Sequence, residues 1–188
     1  MSMTTMQKLR AIRPIAPGVF AALAVALRVA KNAALGPVQI VNFPAVFTII
    51  GGLMFGAYVG AFTGFISFFL SDVLLGYAGT WTIITSLSMG LVGGLSPLLR
   101  RLDAESSITG LGVSSYLLIL VYDILSSMVW LAFVMPVQTA FVISIVGLFL
   151  PSPLTLYPVG LVTEIVTVLL IVLIYPHVKR AWAEVNRG

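Results

Sequence analysis

Apolar residues arrive in long runs along this chain, separated by short clusters of Gly, Pro, Asn and charged residues. Several runs approach the roughly 20 helical residues needed to cross a hydrocarbon core of about 30 Å. The first is expected from about Pro14 to Ala34. A turn-rich link follows, from Gly36-Pro37 through Asn42-Phe43-Pro44. Later candidates run from Trp81 to Leu99, Leu111 to Val134 and Tyr157 to Val178. The stretch Ala45–Gly76 fits less simply. As one helix its roughly 32 residues would reach about 48 Å, too long for one ordinary span and short for two full ones. Thr139–Leu150, bounded by Pro136 and Pro151, is too short to span and is expected in an external loop, as a re-entrant or interfacial piece. Pro151, Pro153 and Pro158 argue against a continuous helix into the last span.

Charge resolves the ambiguous stretch. If Ala45–Gly76 is two short helices broken near Phe55-Gly56-Ala57, the chain has six spans with both termini on one side. Lys8, Arg10, Arg13, Arg100, Arg101, Lys179, Arg180 and Arg187 then share that side, and only Lys31 and Arg28 lie toward the other. A single helix would split the basic clusters between faces. The positive-inside rule favours six spans with both termini inside. The expected fold is therefore an all-α integral membrane bundle of six transmembrane helices, with short second and third helices, forming one domain over residues 1–188.

Composition agrees. Of 188 residues, 60% are hydrophobic and 9% charged, and mean hydropathy is +1.12. A soluble protein usually carries about a quarter charged residues. This composition excludes a soluble domain and intrinsic disorder. The net charge of +4 reads as basic cytoplasmic flanks, not as nucleic-acid binding. With no Cys and a single His, His177, disulfides, thiolate chemistry and multi-His metal sites are excluded. The first apolar segment contains Arg28 and Lys31 and is expected to be a retained transmembrane helix, not a signal peptide.

Two sets of small residues recur every four positions. Gly52, Gly56, Gly60 and Gly64, with the pair Gly90 and Gly94, suit close helix approach inside the chain's own bundle. Ala22, Ala26, Ala30 and Ala34 mark one face of the first helix. Arg28 lies about 200° around the helix from Ala26. The smooth face and the basic face thus point in nearly opposite directions, one suited to a partner and the other to a cavity.

Ionisable residues inside a membrane cost about 2.5–3.5 kcal/mol each on insertion scales and suggest function. Arg28, Asp72, Asp123 and Glu164 are such residues, with Lys31 near the boundary. Counted from the span starts, all fall between the midplane and the outer surface. Helical spacing places Tyr116, Ser127 and Trp130 on the face of Asp123. It places Tyr157, Gly160 and Thr167 with Glu164, and Thr85 and Ser88 with Trp81. Converging carboxylates, hydroxyls and rings suit an outward-facing pocket for a small ring-bearing molecule. The candidate substrate-binding residues are Glu164, Asp123, Asp72, Arg28, Lys31, Trp130, Trp81 and Tyr157. The plainer alternative pairs Arg28 with Asp72 or Glu164 and makes the aromatic residues interface anchors.

No G-x-x-x-x-G-K-[ST], G-x-S-x-G or H-E-x-x-H sequence occurs, and nothing supplies a nucleophile and base. The chain is expected to be neither an enzyme nor a cofactor protein.

The Ala22-x-x-x-Ala26-x-x-x-Ala30 stripe, Asn42-Phe43-Pro44-Ala45, the run from Gly51-Gly52-Leu53-Met54-Phe55-Gly56-Ala57 through Gly60-Ala61, and Ser71-Asp72-Val73-Leu74-Leu75-Gly76 carry a family resemblance. In this organisation the chain resembles the substrate-binding S-component of an energy-coupling factor vitamin transporter. The resemblance implies a transmembrane coupling protein and two cytoplasmic ATPases as partners. It implies that Ala22, Ala26 and Ala30 dock the coupling protein. It further implies a multi-pass protein of the cell membrane, with an external pocket capped by the loop after the first helix. Such a subunit carries substrate inward by toppling in the membrane, driven by its partners' ATP hydrolysis. The vitamin stays open at this level. Three acidic residues against Arg28 and Lys31 favour a cationic or zwitterionic ligand, with thiamine-like, pyrimidine and cobalamin-precursor molecules all compatible. A stand-alone small-solute carrier or channel, and a structural six-helix protein of cell-wall machinery, are the competing classes.

Overall fold

The computed structural model describes residues 15–151 and 158–185. The described chain is helical: α1 (Ala16–Leu35), α2 (Phe43–Phe55), α3 (Ala57–Leu75), α4 (Thr80–Leu95), α5 (Pro97–Arg101), a 3-10 turn (Ala104–Ser106), α6 (Ile108–Leu131), α7 (Val137–Gly147) and α8 (Val159–Val185). Among the described residues, five segments are long and apolar enough to cross a membrane: α1, α3, the continuous Thr80–Arg101 unit, α6 and α8. Lys8, Arg10, Arg13, Pro153, Tyr157 and Arg187 lie outside the described residues.

The local sequence accounts for the ends. Pro17 sits in the first turn of α1, where its missing N–H is not needed. Asn42 caps α2, its side-chain oxygen accepting from the Ala45 N–H at 3.1 Å, with Pro44 in the first turn. Between α2 and α3 the chain breaks at Gly56, whose φ of 101° is open to glycine and strained for other residues. Ser107 caps α6 by accepting from the Gly110 N–H at 2.9 Å.

The break at Gly56 falls where charge placed it, but the two helices are not equally short. Helix α2 has 13 residues and α3 has 19. At 1.5 Å per residue α2 reaches about 20 Å, and α3 is a full-length candidate span. Helix α7 is an 11-residue apolar element starting at Val137. Helix α8 runs through Pro176 to Val185, beyond the expected end at Val178.

Helix α2 lies at the centre. Every residue from Pro44 to Leu53 is buried, and Ala45, Val46, Ile49 and Ile50 are fully enclosed. Around it, α3 and α4 make the closest-packed pair. Their backbones meet at Gly60 and Gly93: a Cβ on either would overlap the other's carbonyl. The glycine stripe therefore packs inside the bundle.

Leucine, valine and phenylalanine cover the outside, including Leu70, Leu74, Ile83, Leu87, Leu91, Leu117, Leu169 and Leu173. An apolar exterior on this scale needs a lipid solvent. Ala22, Ala26, Ala30 and Ala34 are exposed on α1, while Ala21, Ala24 and Val25 face the core.

Candidate functional site

Two buried charged groups occupy this bundle. The first joins α1, α3 and α4. The Arg28 guanidinium donates to the Ser71 hydroxyl at 2.5 Å and pairs with Asp72 Oδ1, also at 2.5 Å. It also covers the Phe68 ring, 4.8 Å from the centroid. The other carboxylate oxygen of Asp72 accepts from the Thr82 hydroxyl at 2.8 Å. Asp72 sits in the last turn of α3, just before Gly76 turns the chain at φ 75°, and the Tyr77 N–H returns to the Asp72 carbonyl at 2.8 Å. The turn thus places Thr82 of α4 against the Asp72 carboxylate, and the ion pair is balanced from three elements.

The second group joins α6 and α8. Asp123 and Glu164 face each other closely enough to interact, with the Tyr116 hydroxyl beside Glu164. Glu164 is 1% exposed, and the Asp123 carboxyl and the Tyr116 hydroxyl are its polar neighbours. No cation balances this pair among the described residues.

A two-lobed cavity lies between these groups. One lobe, about 220 Å³, is lined by Arg28, Phe68 and Tyr122 together with the polar residues Gln39, Asn42 and Thr163. The other, about 350 Å³, is lined by Ser127, Trp130, Leu131 and, from α7 and its end, Ile143, Ser144 and Leu148. Trp81, Asp123 and Gly160 line both lobes and mark their junction. Trp81 and Trp130 meet edge to face, 5.9 Å between ring centroids. Phe68 and Tyr122 pack at 5.3 Å.

The link between α1 and α2 closes one side. Lys31 donates to the Val38 carbonyl at 2.8 Å, and Thr163 of α8 donates to the Gln39 carbonyl at 2.8 Å. The Asn42 N–H donates to Thr167 at 2.9 Å. Helix α8 thus holds this link over the cavity at two points.

Of the residues singled out in the sequence, Arg28, Trp81, Asp123 and Trp130 line the cavity. Glu164 neighbours Asp123 without lining the cavity, and Asp72 is the ion-pair partner of Arg28. Lys31 serves the link and is not a lining residue. Tyr157 is outside the described residues. The expected alignment of Asp123 with Ser127 and Trp130 is present in the second lobe. Sequence reasoning placed Phe68 on the face of Asp72, missed Gln39, Thr163 and Tyr122 as lining residues, and gave Ile143, Ser144 and Leu148 only to a loop. For Thr163 a signal existed: it neighbours a buried acid on the last helix. For Gln39 none did, because its place depends on how the link folds back.

The family model described as "ECF-type riboflavin transporter, S component" matches residues 9–177. No curated protein and no solved structure matches the chain.

Proposed function

Because the chain belongs to the S-component family of ECF-type transporters, membrane proteins that bind substrate and work with a coupling protein and ATPases, we propose that this subunit binds riboflavin in the two-lobed cavity. The observation that carries the reading is the pairing of a more apolar lobe beside Trp130 with a more polar one, joined at Trp81 and Asp123. Riboflavin has a flat tricyclic ring and a neutral, hydroxylated ribityl chain. The ring suits the larger lobe beside Trp81 and Trp130, where edge and face contacts add to burial. The ribityl hydroxyls suit Asp123, Asn42 and Thr163, which fix orientation.

This reading revises the charge argument. Asp72 is committed to Arg28, so those two charges cancel and no longer favour a cationic ligand. A neutral ligand with many hydroxyl donors suits the remaining acceptors better.

The positive-inside rule supports six crossings, with α2 as the short buried one and both termini inside. In that orientation the cavity opens outward. The exposed Ala22, Ala26 and Ala30 face of α1 is the docking surface for the coupling protein, its small side chains allowing close approach. Docking and toppling then carry the flavin inward at the expense of ATP hydrolysed by the two ATPases.

Mass spectrometry of small molecules released from the purified chain tests the ligand. Riboflavin is expected, and a different vitamin recovered in its place contradicts the reading. Ala26→Trp is expected to abolish assembly with the coupling module while leaving flavin affinity unchanged. Assembly at the normal level overturns the docking role.

A further inference from the structure

The wall of the second lobe contains two glycines, Gly147 and Gly160, in contrasting surroundings. A Cβ on Gly160 would come within 3.0 Å of the Leu148 side chain and 3.1 Å of its Cα, so this glycine lets the end of α7 seat against α8. Gly147 answers no such need. It lies at the end of α7 with ordinary helical backbone, outside the left-handed region. A Cβ there would meet no atom of the described residues within 4 Å. Ile143 and Ser144, one turn earlier on α7, line the same lobe as Gly147. Residues at that spacing share one face of a helix, so a side chain grown on Gly147 would project into the lobe.

We infer that Gly147 is a specificity-determining residue: the space left by its missing side chain receives the methyl-bearing edge of the flavin ring. This rests on the flavin reading above and adds an orientation to it. The two edges of the ring differ. One carries two methyl groups and no polar atom. The other carries two carbonyls and an N–H, which need partners when buried. Around Gly147 the wall is apolar, with Leu131 of α6, Ile143 and Leu148. The Ser144 hydroxyl is committed to the Ala140 carbonyl at 2.8 Å, so its proton is not offered to a ligand. These surroundings suit the methyl-bearing edge. The carbonyl-bearing edge then turns toward Trp81 and Asp123, where the lobes join and the polar lining begins.

Selectivity between rings follows from this placement. Burying two methyl groups in an apolar space strengthens binding about tenfold. A side chain on Gly147 would fill the same space and exclude those methyl groups, while a flavin ring without them would still fit. Asn42 and Thr163 line the other lobe, so the contacts proposed for the ribityl chain do not depend on this position.

The test titrates riboflavin, and the analogue lacking both ring methyl groups, into the full purified chain and its Gly147→Ala and Gly147→Leu variants. The parent is expected to prefer riboflavin about tenfold. Gly147→Ala should shrink that preference, and Gly147→Leu should abolish or invert it, with riboflavin weakened about tenfold or more. Without ligand, both variants should melt close to the parent, because the added atoms enter open space on a helical backbone. Should Gly147→Leu fold poorly, the smaller Gly147→Ala decides through its preference alone. A ligand-free melting temperature that falls sharply in Gly147→Ala means the chain itself fills the space, and overturns the inference. So does a parent that binds both flavins equally. A parent that prefers riboflavin, with the same preference in both variants, removes the role of Gly147 and keeps the flavin reading. A parent that binds neither flavin removes the flavin reading itself.

Discussion

Two acidic residues sit buried in the same bundle with opposite surroundings. Asp72 is enclosed by an arginine, its two oxygens answered by Arg28 and Thr82. Glu164 is just as buried, and its neighbours are a second acid, Asp123, and the Tyr116 hydroxyl, with no basic side chain among the described residues paired to it. The first arrangement looks inward: it ties α1, α3 and α4 together, and its charges cancel. The second sits beside Asp123, a residue of the cavity wall, and has no basic partner among the described residues. An evolved bundle spends a balanced ion pair on architecture. An unbalanced acid beside a cavity is retained for what enters that cavity. Burial alone does not separate the two roles, whereas partner inventory does.

Asp72→Asn should have the largest effect. It keeps the hydrogen bond to Thr82 and leaves Arg28 without a counter-charge in the membrane, at a cost of about 3–5 kcal/mol of stability. Thermal or denaturant unfolding of the purified variant measures this. The double variant Arg28→Met with Asp72→Leu should recover most of the loss, since a buried pair replaced by apolar side chains is often near neutral. A double variant as unstable as Asp72→Asn contradicts the structural role. Thr82→Val comes next. Removing a donor to a charged acceptor should cost about 1.5–3 kcal/mol in the same assay.

Glu164→Gln should have the smallest effect on stability, within about 1 kcal/mol, because no basic side chain among the described residues pairs with Glu164 and the amide can keep its polar neighbours. Its effect belongs in binding, where affinity for riboflavin should fall about tenfold, a difference of about 1.4 kcal/mol. Should Glu164→Gln instead destabilise the chain as strongly as Asp72→Asn and bind normally once folded, the contrast between the two acids collapses.

Much of the fold was legible in the sequence, and for identifiable reasons. Membrane spans are written in run length, so the helices appeared close to where they lie. The break at Gly56 was readable because charge distribution demanded it and only glycine suits the required φ. The lengths of α2 and α3 were not, because a helix wholly enclosed by its neighbours needs no full span of apolar residues. The four charged residues within the spans were visible at once, since each is conspicuous in an apolar run. Their pairing was not. The sequence offered Arg28 two acids, and the choice of Asp72 follows from the turn at Gly76, which brings Ser71, Asp72 and Thr82 to one place. Lys31 looked like a second cationic ligand and instead holds the Val38 carbonyl. The polar lobe was the least legible part, because Gln39, Asn42 and Thr163 meet only when the link after α1 folds back onto α8.

The cavity joined at Trp81 and Asp123 is the proposed flavin site. Titration of the purified chain with riboflavin, followed by quenching of flavin fluorescence, tests it most directly when run beside Trp81→Ala. The account predicts saturable binding of one riboflavin per chain, lost or strongly weakened in Trp81→Ala while its melting temperature without ligand stays close to that of the parent. No saturable binding by the parent chain, or undiminished affinity in Trp81→Ala, would contradict it.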